Sequence, residues 1–421
     1  MTSCPALLIS APASGQGKTL STAALIRAWR NRGLKVRAFK CGPDFLDPMV
    51  LQTASGAPVE NLDLAMCGEQ DGRMRLHRTA QEADVIVVEG VMGLYDGAPS
   101  SADIAQKFNL SVALTIDASG MAQTFGKLAA GLMGTELQAA GAIANRVGSA
   151  GHADMLRDSL PGNIPWLGAL QKNEAFALPE RHLGLFRAAE IGDLEQRIEA
   201  AAQALAASGE LPLPPAVDFP AAELPAVPQL LKSKTIAVAR DAAFCFLYPA
   251  NLECLQAMGA QLAFFSPLHD ATMPQADALW LPGGYPELHL QEIAANQAMR
   301  SALQAAWQNG MPMLAECGGM MALTETIDDN PAFGLLPGKT HMEPRLQGLG
   351  VQFAELIGEK LNAHTFHYSS FATDLQPLSL ATTKYGQGEA IYRHGSLTAS
   401  YLHFYFASNP VATARLFGDS A

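Results

Sequence analysis

The sequence predicts an α/β protein of two domains, each built on a mostly parallel sheet. Apolar runs of strand length alternate with helical stretches over most of the 421 residues, the pattern of sheets covered on both faces. The alternation breaks off once, at a proline-rich segment, and then restarts. A chain of this length also exceeds what one ordinary core accommodates and suits two.

From Ala6 to about Gly168 the strand candidates are ALLIS, VRAFK, DVIVVEG, VALTID, GAIANRV and PWLGAL. Helices are expected between them over 18–32 and 120–133, where alanine and leucine dominate and proline is absent. A further helix is expected over 190–207. It gives way to SGELPLPPAVDFPAAELPAVPQLLKSK, in which Pro212, Pro214, Pro215, Pro220, Pro225 and Pro228 remove backbone donors and favour an extended linker. The expected domains are therefore 1–207 and 235–421, with 208–234 as linker. The second domain reads TIAVAR, a helix over 251–258, LAFFS, ALWLPGG, a helix to Asn309, and PMLAECGG. From about Gly338, threonine-, tyrosine- and glycine-rich strand patterns predict an antiparallel addition.

The formal charge of −12 argues against wrapping nucleic acid or an anionic membrane, both of which need an excess of lysine and arginine. A local basic pocket can still serve a small anion. Arg73, Arg75 and Arg78 read as a solvated helix face. The six cysteines, at 4, 41, 67, 245, 254 and 317, form no C-x-x-C pair and have no histidines at ligand spacing, which points to a reducing compartment and no structural zinc. MTSCPALLIS lacks the basic flank of a signal peptide, and no apolar stretch reaches bilayer length. A soluble cytoplasmic protein is expected, its oligomeric state open, a homodimer included.

APASGQGKT follows the first strand and opens a helix. Gly15 and Gly17 let the backbone approach phosphate, Lys18 supplies a positive charge, and the Thr19 hydroxyl suits a magnesium ion. Pro12 stands where such loops usually begin with glycine, so the match is to a variant loop. Magnesium on a triphosphate wants carboxylates, which parallel sheets present at carboxyl strand ends. FKCGPDFLDP offers Lys40, Asp44 and Asp47. VIVVEGVMGLYDG offers Glu89, costly after an apolar strand unless a charge meets it. Asp44 and Asp47 also read as helix caps beside proline, and Asp96 as a turn residue.

In the second domain PMLAECGGM reads as a buried strand turning sharply into a helix, with Cys317 exposed at the corner, where a helix N-terminus lowers a thiol pKa. SYLHFYF offers His403 as a base. LPGGYPE offers Gly283 and Gly284 as oxyanion donors. Glu316, adjacent to Cys317 on a strand, should point the opposite way.

The order glycine loop, cysteine elbow, late histidine resembles class I glutamine amidotransferase domains. Those commonly carry a glutamate two residues after the histidine, where this chain has Tyr405. With SGQGKT, KCGPDFLDP, VEGVMGLYDG, ANRVGSAGH, LPERHLGL, LPGGYPELH, AECGGMM, TFHYS and SYLHF, the whole chain resembles the cobyrinic or hydrogenobyrinic acid a,c-diamide synthase family. The resemblance implies a phosphate-loop amide synthetase domain joined to a glutamine amidotransferase domain. ATP, Mg2+ and L-glutamine would serve it, and the substrate would be a corrinoid polycarboxylic acid, cobyrinic acid first and hydrogenobyrinic acid as the alternative, amidated at its a and c acetates in cobalamin biosynthesis. Lys18 and Thr19 would hold phosphates and metal, with Asp47 and Glu89 completing the metal site. Asn145 would read the adenine edge, and Lys40 and Asp44 would face the substrate carboxylate or the transferred phosphate. Cys317 and His403 would release ammonia from glutamine, delivered by an enclosed route. His182, His364 and His367 fall in family segments without a role.

The reading of residues leaves alternatives. Adenosylcobyric acid synthase and nickel-sirohydrochlorin a,c-diamide synthase share much of this pattern. A partition-type ATPase switch would carry a second lysine early in the loop, where Ala13 and Ser14 stand. A glutaminase-like domain retained only for docking also fits Tyr405.

Overall fold

Leu7 and Ile9 of the first strand enter one hydrophobic core and Leu8 enters another, because successive side chains of a strand leave opposite faces. Complete burial of each such side chain contributes about 1.5–3 kcal/mol. In the computed structural model, which describes residues 2–181, 184–185, 187–222, 226–356 and 358–418, this strand is the centre of the first of two compact units, Met1–Leu224 and Pro225–Ala421.

The parallel strands of the first unit are β1 (Thr2–Ser10), β2 (Val36–Cys41), β3 (Glu60–Leu62), β4 (Val85–Glu89), β5 (Ser111–Asp117), β6 (Ala139–Val147) and β7 (Trp166–Gln171). Their order is β3-β2-β4-β1-β5-β6-β7. The chain first winds to one side of β1 and then to the other, so the carboxyl end of β1 lies at the switch in winding direction, where such sheets receive ligands. Helix α1 (Lys18–Asn31) starts there. All six strands expected in this half are present. The three-residue β3 is additional, too short to signal itself by periodicity.

The proline-rich segment also supplies structure. Ala216–Phe219 pairs antiparallel with Thr2–Pro5, and its Val217 and Phe219 enter the core. Proline brackets this strand without interrupting it, so its ladder keeps its donors. Arg73, Arg75 and Arg78 are ion-paired with Glu69, Asp71 and Glu60, with Arg75 buried rather than solvated.

In the second unit five parallel strands lie in the order Gln261–Phe265, Thr235–Ala239, Ala278–Leu281, Met313–Glu316, Leu397–Ser400. The sheet continues antiparallel through Gly386–His394, Ser379–Thr383, Gly348–Leu356, Glu359–His367 and His403–Phe404. The added portion expected after Gly338 is therefore antiparallel in this sheet, although Leu336–Met342 pairs parallel with Thr324–Ile327 in a separate small sheet. The helix expected up to Asn309 is two, Leu290–Ala295 and Gln297–Gln308, the second capped by the Asn296 side chain. All six cysteines are free. No helix among the described residues is long and apolar enough to cross a membrane.

Candidate active sites

At the carboxyl end of β1 the chain turns through Gly15 (φ 75°) and Gly17 (φ 84°), conformations that glycine adopts without steric cost. Gly17 has a second constraint: a Cβ there would lie 2.1 Å from Asn145 Nδ2. Asn145, near the end of β6, donates from that nitrogen to Gln16 O at 2.9 Å. Gln16 Oε1 in turn accepts the Asp117 amide at 2.9 Å. Asn145 thus braces the loop backbone. Lys18 donates to Met92 O at 2.5 Å and Ala13 O at 3.4 Å, while Leu94 N–H bonds Ala11 O at 2.8 Å. The VMGLYDG loop is therefore laced to the phosphate loop.

Lys40 and Glu89 are cross-strand partners on β2 and β4. Lys40 Nζ lies 2.9 Å from Glu89 Oε1 and 2.6 Å from Asp47 Oδ2, and donates to Gly90 O at 3.0 Å. Thr19 Oγ1 donates to the same Glu89 Oε1 at 2.9 Å. The charge demanded by an acid ending an apolar strand is Lys40. Asp44 caps the start of the helix Leu46–Ser55, its Oδ1 accepting from Leu46 and Asp47 N–H at 2.7 and 3.2 Å, and Asp47 in the first turn points back at Lys40. Asp96 keeps its turn role, accepting Gly93 N–H at 2.9 Å.

The cluster's charges are unequal. Burial opposes ionisation of Asp47, but the Lys40 ammonium beside it outweighs burial and holds its carboxyl below the usual range. Burial pushes Glu89 up to about 7; Lys40 pulls the other way, and the Asp47 charge adds to the rise. Asp47 is thus the principal counter-ion of Lys40, and Glu89 holds its proton more tightly. Burial and the Asp47 charge push Asp44 up to about 7. Burial and the Lys40 charge lower Lys18.

Glu89 is fully buried, and its Oε2 finds no hydrogen-bond partner among the described residues. Among the described residues no group of three or more His, Cys, Asp and Glu could hold a metal ion. This donor set fits magnesium, which characteristically takes one or two carboxylates together with phosphates and water, with the Thr19 hydroxyl adjoining.

In the second unit Cys317 stands between Met313–Glu316 and the helix Gly318–Leu323 with φ 45° and ψ −111°. Such a conformation is strained for any residue with a Cβ. Its N–H is held by Ser400 O at 2.7 Å. Gly283 lies against both candidate catalytic side chains: a Cβ there would sit 2.2 Å from His403 Cε1 and 3.3 Å from Cys317 Cβ. Gly284 approaches the elbow as well, its backbone nitrogen 2.8 Å from where Gly318 would carry a Cβ. His403 is flanked by Phe246 and His364, with ring centroids at 5.9 and 6.5 Å. His364 is its antiparallel cross-strand partner.

One expectation is corrected. Cys317 is only 5% exposed, and burial, reinforced by the Glu287 carboxylate, pushes its thiol up rather than down. The Gly318 backbone at the start of the following helix lowers the thiol by less than burial raises it. Burial, with His364 and His367 nearby, holds His403 well below its ordinary value. Both shifts favour a neutral thiol and a neutral imidazole at rest.

Residues 7–186 match the CobQ/CobB/MinD/ParA nucleotide binding domain family, and residues 235–411 match the CobB/CobQ-like glutamine amidotransferase domain family. A protein of Stutzerimonas stutzeri named hydrogenobyrinate a,c-diamide synthase is 54% identical, covering 98% of this chain and 98% of the relative. One of the same name from Pseudomonas aeruginosa is 52% identical, covering 98% and 97%. A cobyrinate a,c-diamide synthase of Herminiimonas arsenicoxydans is 48% identical, covering 98% and 96%. The chain belongs to the a,c-diamide synthase family. As a member it is an amide-forming ligase that joins a nucleotide-binding domain to a glutamine amidotransferase domain.

Sequence reasoning missed several residues of these diamide synthase sites. Gln16, Asp117 and the Met92 carbonyl brace or occupy the loop. The Gly318 backbone lowers the Cys317 thiol, and its place directly after the cysteine was the available signal. His367 is tied to Ser369 O and Glu389 Oε1 at 2.8 and 2.9 Å, which favours a structural role. His182 lies outside the described residues.

Proposed function

We propose that this chain converts two acetate carboxylates of a corrinoid polycarboxylic acid, those called a and c, to amides, using ATP and glutamine in the cytoplasm. The reading is carried by the convergence of Lys18, Thr19, Lys40, Asp47 and Glu89 at the carboxyl ends of neighbouring strands, in a chain whose other unit sets Cys317 and His403 against Gly283. Two relatives above 50% identity bear the hydrogenobyrinate name, which favours the metal-free corrinoid as first substrate, with cobyrinate as the second reading.

A carboxylate lacks a leaving group, so ammonia cannot displace its oxygen directly. One substrate carboxylate oxygen attacks the γ-phosphorus, the bond to the β-phosphate oxygen breaks, and ADP leaves. Lys18 leaves its resting carbonyl partners to meet phosphate oxygens. Thr19, Asp47 and Glu89 would hold Mg2+, which when bound spreads phosphate charge. Lys40 and Asp44 would orient the carboxylate and transferring group, and Asn145 would reach the adenine edge.

Ammonia in neutral water is mostly ammonium and does not attack. Cys317 Sγ adds to the side-chain amide carbon of glutamine while His403 takes the thiol proton, consistent with the neutral resting pair. Backbone donors at Gly283, Gly284 and Gly318 would receive the developing oxyanion. His403 returns the proton to the departing nitrogen, and water later cleaves the thioester to glutamate. Ammonia attacks the acyl carbon and phosphate leaves.

The test is the product mass after incubation with ATP, Mg2+, glutamine and hydrogenobyrinic or cobyrinic acid. Two successive replacements of OH by NH2 are expected. In Cys317→Ser, ammonium chloride should support both and glutamine neither. Phosphate release with no change in corrinoid mass overturns the assignment.

A further inference from the structure

Glu316 is 1% exposed and has no ion-pair partner among the described residues. Its Oε1 accepts the Phe404 N–H at 2.7 Å, and its Oε2 accepts the Trp280 indole N–H at 2.7 Å. Both donors are neutral. Removing a carboxylate from water without a counter-ion is costly, and an apolar residue of similar volume commonly gives a more stable core. Burial accordingly pushes this carboxyl up to about 8. A position that retains such a group needs a reason other than packing.

Glu316 precedes the nucleophile, and the amide it binds follows the base. It does not reach into the catalytic pocket. Cys317 belongs to the core on one face of the sheet, while Trp280 and Phe404 belong to the core on the other, as strand alternation requires. Glu316 therefore cannot be assigned to the His403 ring. It grips the main chain carrying that ring from beneath the sheet. The Phe404 carbonyl is held in turn by Asn251 Nδ2 at 2.7 Å, and Asn251 Oδ1 accepts the Phe406 N–H at 2.8 Å. His403–Phe404 is only a two-residue strand, so few ladder bonds fix it, and side-chain grips on both polar groups of Phe404 supply what the ladder does not.

We infer that Glu316 is a positioning residue of the glutaminase, spanning from the cysteine strand to the histidine strand so that the Cys317–His403 distance is set through the Phe404 amide. The inference rests on the glutaminase reading of Cys317 and His403. It concerns ammonia release alone and leaves the synthetase reaction untouched.

The full-length chain is assayed with ATP, Mg2+ and hydrogenobyrinic acid, supplied with glutamine or with ammonium chloride. In Glu316→Gln one oxygen remains to accept, but the new amide N–H faces a donor. The glutamine-supported kcat should fall roughly ten-fold or more, since displacements well below a bond length already misalign a transferring proton. The KM for glutamine and the ammonia-supported rate should stay within about two-fold, because neither substrate binding nor folding is the target. Should Glu316→Gln fail to fold, Glu316→Gln with Trp280→Phe, which removes the opposing donor, is judged by the same criteria. A glutamine-supported kcat unchanged in the variant overturns the inference, as does an equal loss of glutamine- and ammonia-supported rates. Wild-type protein that hydrolyses no glutamine sinks instead the glutaminase reading beneath it.

Discussion

Lys40 and Glu89 occupy matched positions on neighbouring parallel strands, and the Lys40 ammonium, 2.6 Å from Asp47 and 2.9 Å from Glu89, joins the buried Glu89 to the partly exposed Asp47 beside the phosphate loop. A single side chain thus makes the acidic cluster compatible with folding and places a cation where phosphoryl transfer would need it. Lys40→Met should leave the buried Glu89 and the partly exposed Asp47 without a counter-ion. Removing one partner of a buried pair costs about 3–5 kcal/mol, so urea unfolding should show a loss of that order. Glutamine- and ammonia-supported amidation should both vanish.

Gly283→Ala should block the other site without touching this one. The new Cβ would fall 2.2 Å from His403 Cε1 and 3.3 Å from Cys317 Cβ, closer than the ring can tolerate unless it moves. Glutamine hydrolysis should drop about a hundred-fold, given the sensitivity of proton transfer to small displacements, while ammonium chloride continues to support amidation. Equal loss with both nitrogen sources would point to misfolding instead.

The strain at Cys317 is measurable by comparing two inactive variants. Cys317→Gly and Cys317→Ala both remove the sulfur, but only glycine adopts φ 45° and ψ −111° freely. The glycine variant should unfold about 1 kcal/mol later than the alanine variant, less the entropy its unfolded chain gains. An alanine variant more stable than the glycine variant by the full entropy difference, about 0.4–1 kcal/mol, would show that the elbow stores no strain.

His364 carries a pH signature. Burial lowers its imidazole to about 3 from the ordinary 6.5, so the folded state keeps it neutral while the unfolded chain takes up a proton. Its contribution is complete above pH 6.5 and is lost as pH falls through that value toward 3. Unfolding followed between pH 7 and 4 should show a steeper decline in wild type than in His364→Gln. Parallel declines would show that His364 is hydrated and titrates normally.

Alkylation should report the resting state of the thiol. With burial and Glu287 raising it, Cys317 should react slowly with iodoacetamide at neutral pH, and its rate should still be climbing above pH 9. A thiolate–imidazolium pair would instead give a plateau near neutrality. The folded-state contribution of a raised thiol is present below its ordinary pKa and lost above it.

The strand runs, the glycine loop, the cysteine elbow and the order of motifs were legible in the chain because each depends on residues close in sequence. Alternation of apolar runs with helices announced the parallel strands, and Gly-Lys-Thr after the first of them announced the phosphate loop. The failures share a cause. Ala216–Phe219 looked like linker because proline surrounds it, yet a neighbouring strand edge had open donors and acceptors for it. Cys317 looked like an activated thiol because its helix was visible in the sequence and its burial was not; desolvation, decided by everything packed around the elbow, reversed the sign of the shift.

The amino-acid order alone determined which groups exist and which local turns present them: Lys18 and Thr19 opening a helix, Glu89 ending an apolar strand, Cys317 at a turn that strand and glycine force. Only the tertiary structure decided their partners. Lys40 meets Glu89 across 49 residues, Thr19 meets Glu89 across 70, and Glu316 meets Phe404 across 88. Such pairings follow from strand order and register, which minimise unpaired backbone and exposed apolar surface over the whole chain at once, and no local window of sequence contains that sum.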